Sequence, residues 1–171
     1  MIDQQITRAA DAALYYPVYR YKVWGYGEWI ALEGLLAASR LTNNGQYAGF
    51  VEGLVAGWIS KREHLLPIDH LAPGLTLLEL YVQSRFEPYL ERALALAGLL
   101  LDSPRSSRHA RLLRPDASPH VYVDCLYSDP PFLCRLGHIT GEKMWFHEAA
   151  AYAQEFWDVL VDQTWQLPYH G

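Results

Sequence analysis

Two acidic residues stand in apolar surroundings where a carboxyl group can do chemistry. Asp124 lies within Val121-Tyr122-Val123-Asp124-Cys125-Leu126-Tyr127, and Asp69, followed by His70, lies within Leu65-Leu66-Pro67-Ile68-Asp69-His70-Leu71-Ala72-Pro73-Gly74. Apolar neighbours disfavour the ionised form of a carboxyl group and so keep it available as a proton donor. Two carboxylates carried on separate loops are the minimum set for acid/base work on a glycosidic or enol ether bond. Each aspartate also has a purely structural reading, as a helix cap that accepts from backbone N–H groups. From sequence both readings stay open at both positions.

Other arrangements fail on their spacing. Gly25-Tyr26-Gly27 has Ile30 where a dinucleotide-binding loop needs its third glycine, and no clear strand precedes it. His147-Glu148 resembles the start of a helical zinc motif, but the residue four beyond His147 is Ala151. Cys125 and Cys134 have no partner ligands at metal spacing, so neither a metal nor any other cofactor is expected. A Ser, His and Asp triad cannot be picked without geometry. His170, in Leu167-Pro168-Tyr169-His170-Gly171, has the aromatic surroundings of a site residue in a segment that is ordinarily a loose tail.

The elements that must position these residues read as helices. Ile2, Ile6, Ala9, Ala10, Ala13 and Leu14 recur at three- and four-residue steps, an amphipathic stripe that Pro17 ends. An aromatic-rich linker follows to Gly27. Helices are then expected from about Glu28 to Leu41 and from Gln46 to Ile59, parted by Thr42-Asn43-Asn44-Gly45. A second pair spans Pro73-Gly74 to Ser84 and Tyr89 to Leu101, reversing at Arg85-Phe86-Glu87-Pro88. A third is expected to begin at Asp129-Pro130-Pro131, with Asp as cap and Pro in the first turn, and to resume from Met144 to Val161 after Thr140-Gly141-Glu142.

The second helix of each pair carries a related pattern: Tyr47-x-x-Phe50-Val51-x-x-Leu54, Tyr89-x-x-x-Ala93-Leu94-x-x-Ala97, and Phe146-x-x-Ala149-Ala150-x-x-Ala153. This is an internal repeat of helical hairpins, so the expected class is all-α. Such hairpins either stack as an open superhelix or close into a toroid. The long, unlike linkers that carry Asp69 and Asp124 favour the toroid, with function on loops at one mouth.

Composition bounds the rest. The 171 residues suit a single domain, 51% hydrophobic and 13% aromatic, with six Trp and twelve Tyr. That aromatic content suits a concave site for flat ligands, sugars included, or core filling. A net charge of −5 with scattered Lys and Arg gives no basic stripe, so no nucleic-acid partner is expected. The polar start, Met1-Ile2-Asp3-Gln4-Gln5, has no signal-peptide pattern, and Ala93 to Leu101 is the longest apolar run. No membrane association is expected; two cysteines without a secretory signal read as thiols of a cytoplasmic protein.

Four segments together resemble the unsaturated rhamnogalacturonyl hydrolases, glycoside hydrolase family 105. They are Trp24-Gly25-Tyr26-Gly27-Glu28, Ile68 to Gly74, Tyr122 to Tyr127 continuing through Pro130-Pro131-Phe132-Leu133 to Arg135-Leu136-Gly137, and Pro168-Tyr169-His170-Gly171. The resemblance implies an (α/α)6 barrel that removes the unsaturated galacturonyl residue left on pectin fragments by lyases. It implies Asp124 as general acid and base, Asp69 as its catalytic companion, and His70, Tyr122, His170 and Trp24 as substrate contacts. Leu113 stands where the family carries a histidine, with His109 and His120 nearby.

Residues 1–171 would then form one incomplete domain, about half of the barrel. Its exposed inner face would seek a second copy or a complementary C-terminal half. The alternative expectation is an inactive truncated fragment that serves as a helical-repeat interaction or sugar-binding protein.

Overall fold

A computed structural model describes residues 2–16, 26–61, 73–106, 110–111 and 121–170. Among them are seven helices and two isolated antiparallel bridges, Arg105 with Arg111 and Val161 with Pro168. The all-helical class agrees with the hydrophobic periodicity. No helix among the described residues is long and apolar enough to cross a membrane. The chain divides into two compact units, Met1–His64 and Leu65–Gly171.

The first unit holds α1 (Ile2–Leu14), α2 (Tyr26–Thr42) and α3 (Gly45–Ser60), which all pack on one another. The turn between α2 and α3 ends at Asn44, whose side chain accepts from the Gln46 N–H at 3.1 Å and so satisfies a donor that the helix start would strand. Trp29, Leu32, Leu35 and Leu36 of α2 and Tyr47, Val51, Val55 and Trp58 of α3 are buried at helical spacing. At about 1.5–3 kcal/mol per fully buried large side chain, this seam outweighs any single cap. Tyr47 reaches across to α1, donating its hydroxyl to Asp11 Oδ1 at 2.8 Å.

The second unit holds α4 (Gly74–Ser84), α5 (Glu87–Leu101), α6 (Cys125–Thr140) and α7 (Met144–Leu160). Two short connections make hairpins of α4 with α5 and of α6 with α7, and α4 and α5 both pack on α6. Arg85 closes α4 in the left-handed region, φ 57°, with its N–H on the Tyr81 carbonyl at 2.8 Å. Pro88 sits in the first turn of α5, where its missing N–H costs nothing. Gly141 at φ 75° ends α6, a conformation that glycine alone adopts without a Cβ penalty.

Two details of the hairpin repeat differ from the sequence reading. On α7 the buried stripe is Trp145, Ala149, Tyr152, Phe156 and Leu160, while Phe146 is 41% exposed. Trp145, four residues before Ala149, therefore takes the place that Tyr47 holds before Val51 and Tyr89 before Ala93, one position earlier than the expected Phe146.

The second difference is the start of α6, at Cys125 and not at Asp129. Pro130 and Pro131 both lie inside the helix, still within its second turn. Only two ladder bonds are lost there, those to the Leu126 and Tyr127 carbonyls, and buried Phe132, Leu133 and Leu136 hold the helix through the interruption.

Candidate active site

The start of α6 determines where Asp124 stands. The N–H groups of Cys125, Leu126 and Tyr127 donate to the carbonyls of Tyr122, Val123 and Asp124 at 3.1, 3.0 and 2.9 Å. This tight three-residue winding satisfies the first helical donors from the backbone itself. Asp124 occupies the capping position without making a side-chain cap bond. Its carboxyl group is half-buried at the start of the helix, with Oδ1 turned out of solvent. The helix-cap bond expected of one reading of Asp124 is thus not made at this helix start.

The C-terminal segment comes back to this point. His170 accepts the Val123 N–H on its carbonyl at 2.9 Å, and its imidazole lies 5.6 Å from the Tyr122 ring, centroid to centroid, tilted by 56°. His170 thus returns to the segment that carries Tyr122 and Asp124, and it is held where the sequence pattern suggests a loose tail. Asp69, His70 and Trp24 lie outside the described residues, as do Leu113, His109 and His120.

A buried polar cluster joins α6 to α7 one turn after Asp124. Asp129 is fully buried, accepting from the Ser128 hydroxyl at 2.7 Å and from the Tyr152 hydroxyl at 2.6 Å. Burial, then the Asp129 charge, pushes the Tyr152 phenol well above its ordinary range, so it stays a neutral donor. Burial likewise pushes up the Cys125 thiol, aided by the charges of Asp129 and Asp124, which makes a thiolate nucleophile there unfavourable. Tyr152 stacks on Phe156 at 4.4 Å, and the Arg111 guanidinium lies 5.7 Å from the Tyr152 ring centre. Arg111, itself buried, pairs with Glu148 at 2.5 Å and Glu155 at 3.6 Å.

Sequence reasoning took Asp129 for a helix cap and passed over Tyr152. The misleading signal was the pair of prolines, which reads as a helix start. A second unforeseen group is Asp162, whose Oδ1 accepts from the N–H groups of Thr164 at 2.8 Å and Trp165 at 2.7 Å while Oδ2 accepts from the Tyr169 hydroxyl. An Asp two residues before a Thr in a Pro-containing tail was its available signature. Among the described residues no three His, Cys, Asp or Glu side chains gather as metal ligands.

The start of α6 thus offers a half-buried carboxyl group on Asp124, a Tyr122 ring packed against the His170 imidazole, and a buried, hydrogen-bonded Asp129 one turn further on. A carboxyl group can transfer protons, while the raised Cys125 thiol disfavours nucleophilic attack from that residue.

The unsaturated rhamnogalacturonyl hydrolase YesR of Bacillus subtilis (strain 168) is 22% identical over 175 aligned residues, which take in 99% of this chain and 51% of that protein. The chain thus spans about half the length of the curated relative it matches. The family model described as Glycosyl Hydrolase Family 88 matches residues 1–171, the whole chain, and the protein belongs to that family.

Proposed function

We propose that this protein acts on unsaturated galacturonyl residues at the ends of rhamnogalacturonan oligosaccharides, as a hydrolase of the family 105 kind. The observation that carries the proposal is the meeting of Tyr122, Asp124 and His170 at the start of α6. Membership of a glycosyl hydrolase family and the similarity to an unsaturated rhamnogalacturonyl hydrolase supply the substrate class.

In this reading the Asp124 carboxylic acid gives its proton to C4 of the C4=C5 double bond. The resulting carboxylate takes a proton from the water that adds at C5. The hemiketal so formed opens and releases the neighbouring sugar, so one water is consumed and Asp124 returns to its starting state. Tyr122 and His170 hold the sugar ring against Asp124. Asp69 orients ring and water, with His70 beside it, and Trp24 adds a stacking surface.

Residues 1–171 form one incomplete domain in the same reading. The protein works in the cytoplasm, on fragments already cut by lyases, without a cofactor.

The test is loss of the enol ether's ultraviolet absorbance when the chain is mixed with lyase-digested rhamnogalacturonan. Turnover that vanishes in Asp124→Asn, with the circular dichroism spectrum unchanged, is the expected result. A second reading, a non-catalytic sugar-binding or interaction protein, draws on the exposure of Trp165 and Tyr169 beside the site, 76% and 58%. Binding of the oligosaccharide without any loss of the band would favour it.

A further inference from the structure

The segment that delivers His170 is not a free tail but a closed hairpin. The Tyr169 N–H donates to the Leu160 carbonyl at 2.9 Å, the Asp162 N–H to the Leu167 carbonyl at 2.9 Å, and the Gln166 N–H to the Asp162 carbonyl at 2.8 Å. Val161 and Pro168 face each other across it. Gln166 holds a left-handed conformation, φ 54°, at the reversal.

Most of the residues of this hairpin are exposed, and Trp165 and Leu167 point largely to solvent, so little apolar burial holds it shut. Besides backbone pairing and a bond from the Gln166 side chain to the Gln163 carbonyl at 3.0 Å within the turn, one side chain ties its two ends together. Asp162 binds both the start of the turn, through Thr164 and Trp165, and its far end, through the Tyr169 hydroxyl. Charge-assisted bonds of this kind are the stronger sort. One residue beyond Tyr169, the His170 carbonyl meets the Val123 N–H, and the next residue after Val123 is Asp124.

We propose that Asp162 is a positioning residue for the active site: by clamping Tyr169 it fixes His170 against Tyr122 and beside Asp124. This deepens the reading of those three residues as one site and rests on it. The Tyr169 hydroxyl is the arm of the clamp. Asp162 acts through His170 and does not touch the sugar. Its carboxyl is held below the usual carboxylate range, first by the Tyr169 hydroxyl and then by the Trp165 N–H, so the clamp stays charged through mildly acidic conditions.

The experiment compares the full chain with Asp162→Ala, Asp162→Asn and Tyr169→Phe. Two readouts are taken: the nuclear Overhauser effect between the His170 and Tyr122 rings, and the kinetic constants for consumption of unsaturated rhamnogalacturonan oligosaccharide. Displacing a substrate-holding group by about 1 Å costs on the order of 100-fold. The ring contact is expected to vanish in Asp162→Ala and to weaken in Tyr169→Phe, with kcat/KM falling about ten-fold or more. Asp162→Asn keeps an acceptor for the turn and should recover most of both.

Tyr169→Phe removes one hydroxyl and guards against a variant that merely misfolds. An Asp162→Ala protein that keeps the ring contact, or keeps kcat/KM despite losing it, overturns the proposal. If the unmodified chain consumes no substrate, the proposed reaction fails by itself. The ring contact still decides the clamp: its loss in Asp162→Ala supports it and its persistence overturns it.

Discussion

The hydroxyl of Tyr152 on α7 donates to Oδ2 of Asp129 on α6 at 2.6 Å, and both residues are fully buried. The α6–α7 hairpin is therefore fastened by a polar bond inside its own apolar seam, in the second turn of the helix that Asp124 precedes. A buried acceptor that loses one of its donors retains the full cost of its desolvation. Tyr152→Phe is accordingly expected to lower stability by about 1–3 kcal/mol in urea unfolding. A double-mutant cycle with Asp129→Ala should return a coupling of about 0.5–3 kcal/mol; strict additivity would contradict the bond.

The same pair sets an alkaline limit. Tyr152 keeps its proton in the folded protein well above its ordinary value of 10.0, chiefly through burial. The unfolded tyrosine ionises first as pH rises, so the contribution of this bond is complete below 10.0 and declines above it. Unfolding free energy measured from neutral to strongly alkaline pH should fall beyond that point in the native sequence. The fall should be shallower in Tyr152→Phe.

Gly74 and Gly137 make a contrasting pair on α6 contacts. A Cβ at Gly74 would meet the Phe132 ring at 2.6 Å, and Phe132 is 1% exposed. A Cβ at Gly137 would meet the Phe146 ring at 3.0 Å, but that ring is 41% exposed and can turn away. Overpacking a closed site costs about 1–3 kcal/mol. Gly74→Ala should thus lose that much in thermal or urea unfolding, and Gly137→Ala should lose less; equal losses would contradict the packing.

Much of this architecture was legible in the sequence. The stripes on α2, α3, α5 and α7 announce helices because buried residues recur at helical spacing, and Asn44 and Gly141 mark ends by their chemistry. What misled was local: Pro130 and Pro131 imitate a helix start, whereas packing by Phe132, Leu133 and Leu136 carries the helix through them. Phe146 and Trp145 are adjacent aromatics, and periodicity alone cannot choose which one faces inward.

Asp124 is marked in the sequence as an acid in an apolar run and His170 as a histidine in an aromatic tail, whereas Tyr122 enters only through the family resemblance. Their convergence could not be read, because it depends on a bond between Val123 and His170, residues far apart in the chain. The burial of Asp129 and the clamp of Asp162 were hidden for the same reason, as their partners Tyr152 and Tyr169 are set by tertiary structure and by a closed turn.

The two thiols should separate cleanly. Cys125 is buried, with its thiol pushed up by burial and by neighbouring carboxylates, while Cys134 is exposed. A maleimide or disulfide reagent at neutral pH is expected to modify one thiol per folded chain and two after denaturation. Cys134→Ser should leave the folded chain unreactive. Rapid native labelling of that variant would contradict the burial of the α6 start.

The proposed hydration of an unsaturated uronide by Asp124 is measured most directly by the ultraviolet absorbance of the enol ether. The chain is mixed with lyase-digested rhamnogalacturonan beside Asp124→Asn protein of matched circular dichroism. Steady loss of the band with the native chain and no loss with the variant is the predicted result. An unchanged band from well-folded native protein, or equal loss from both proteins, would contradict the account.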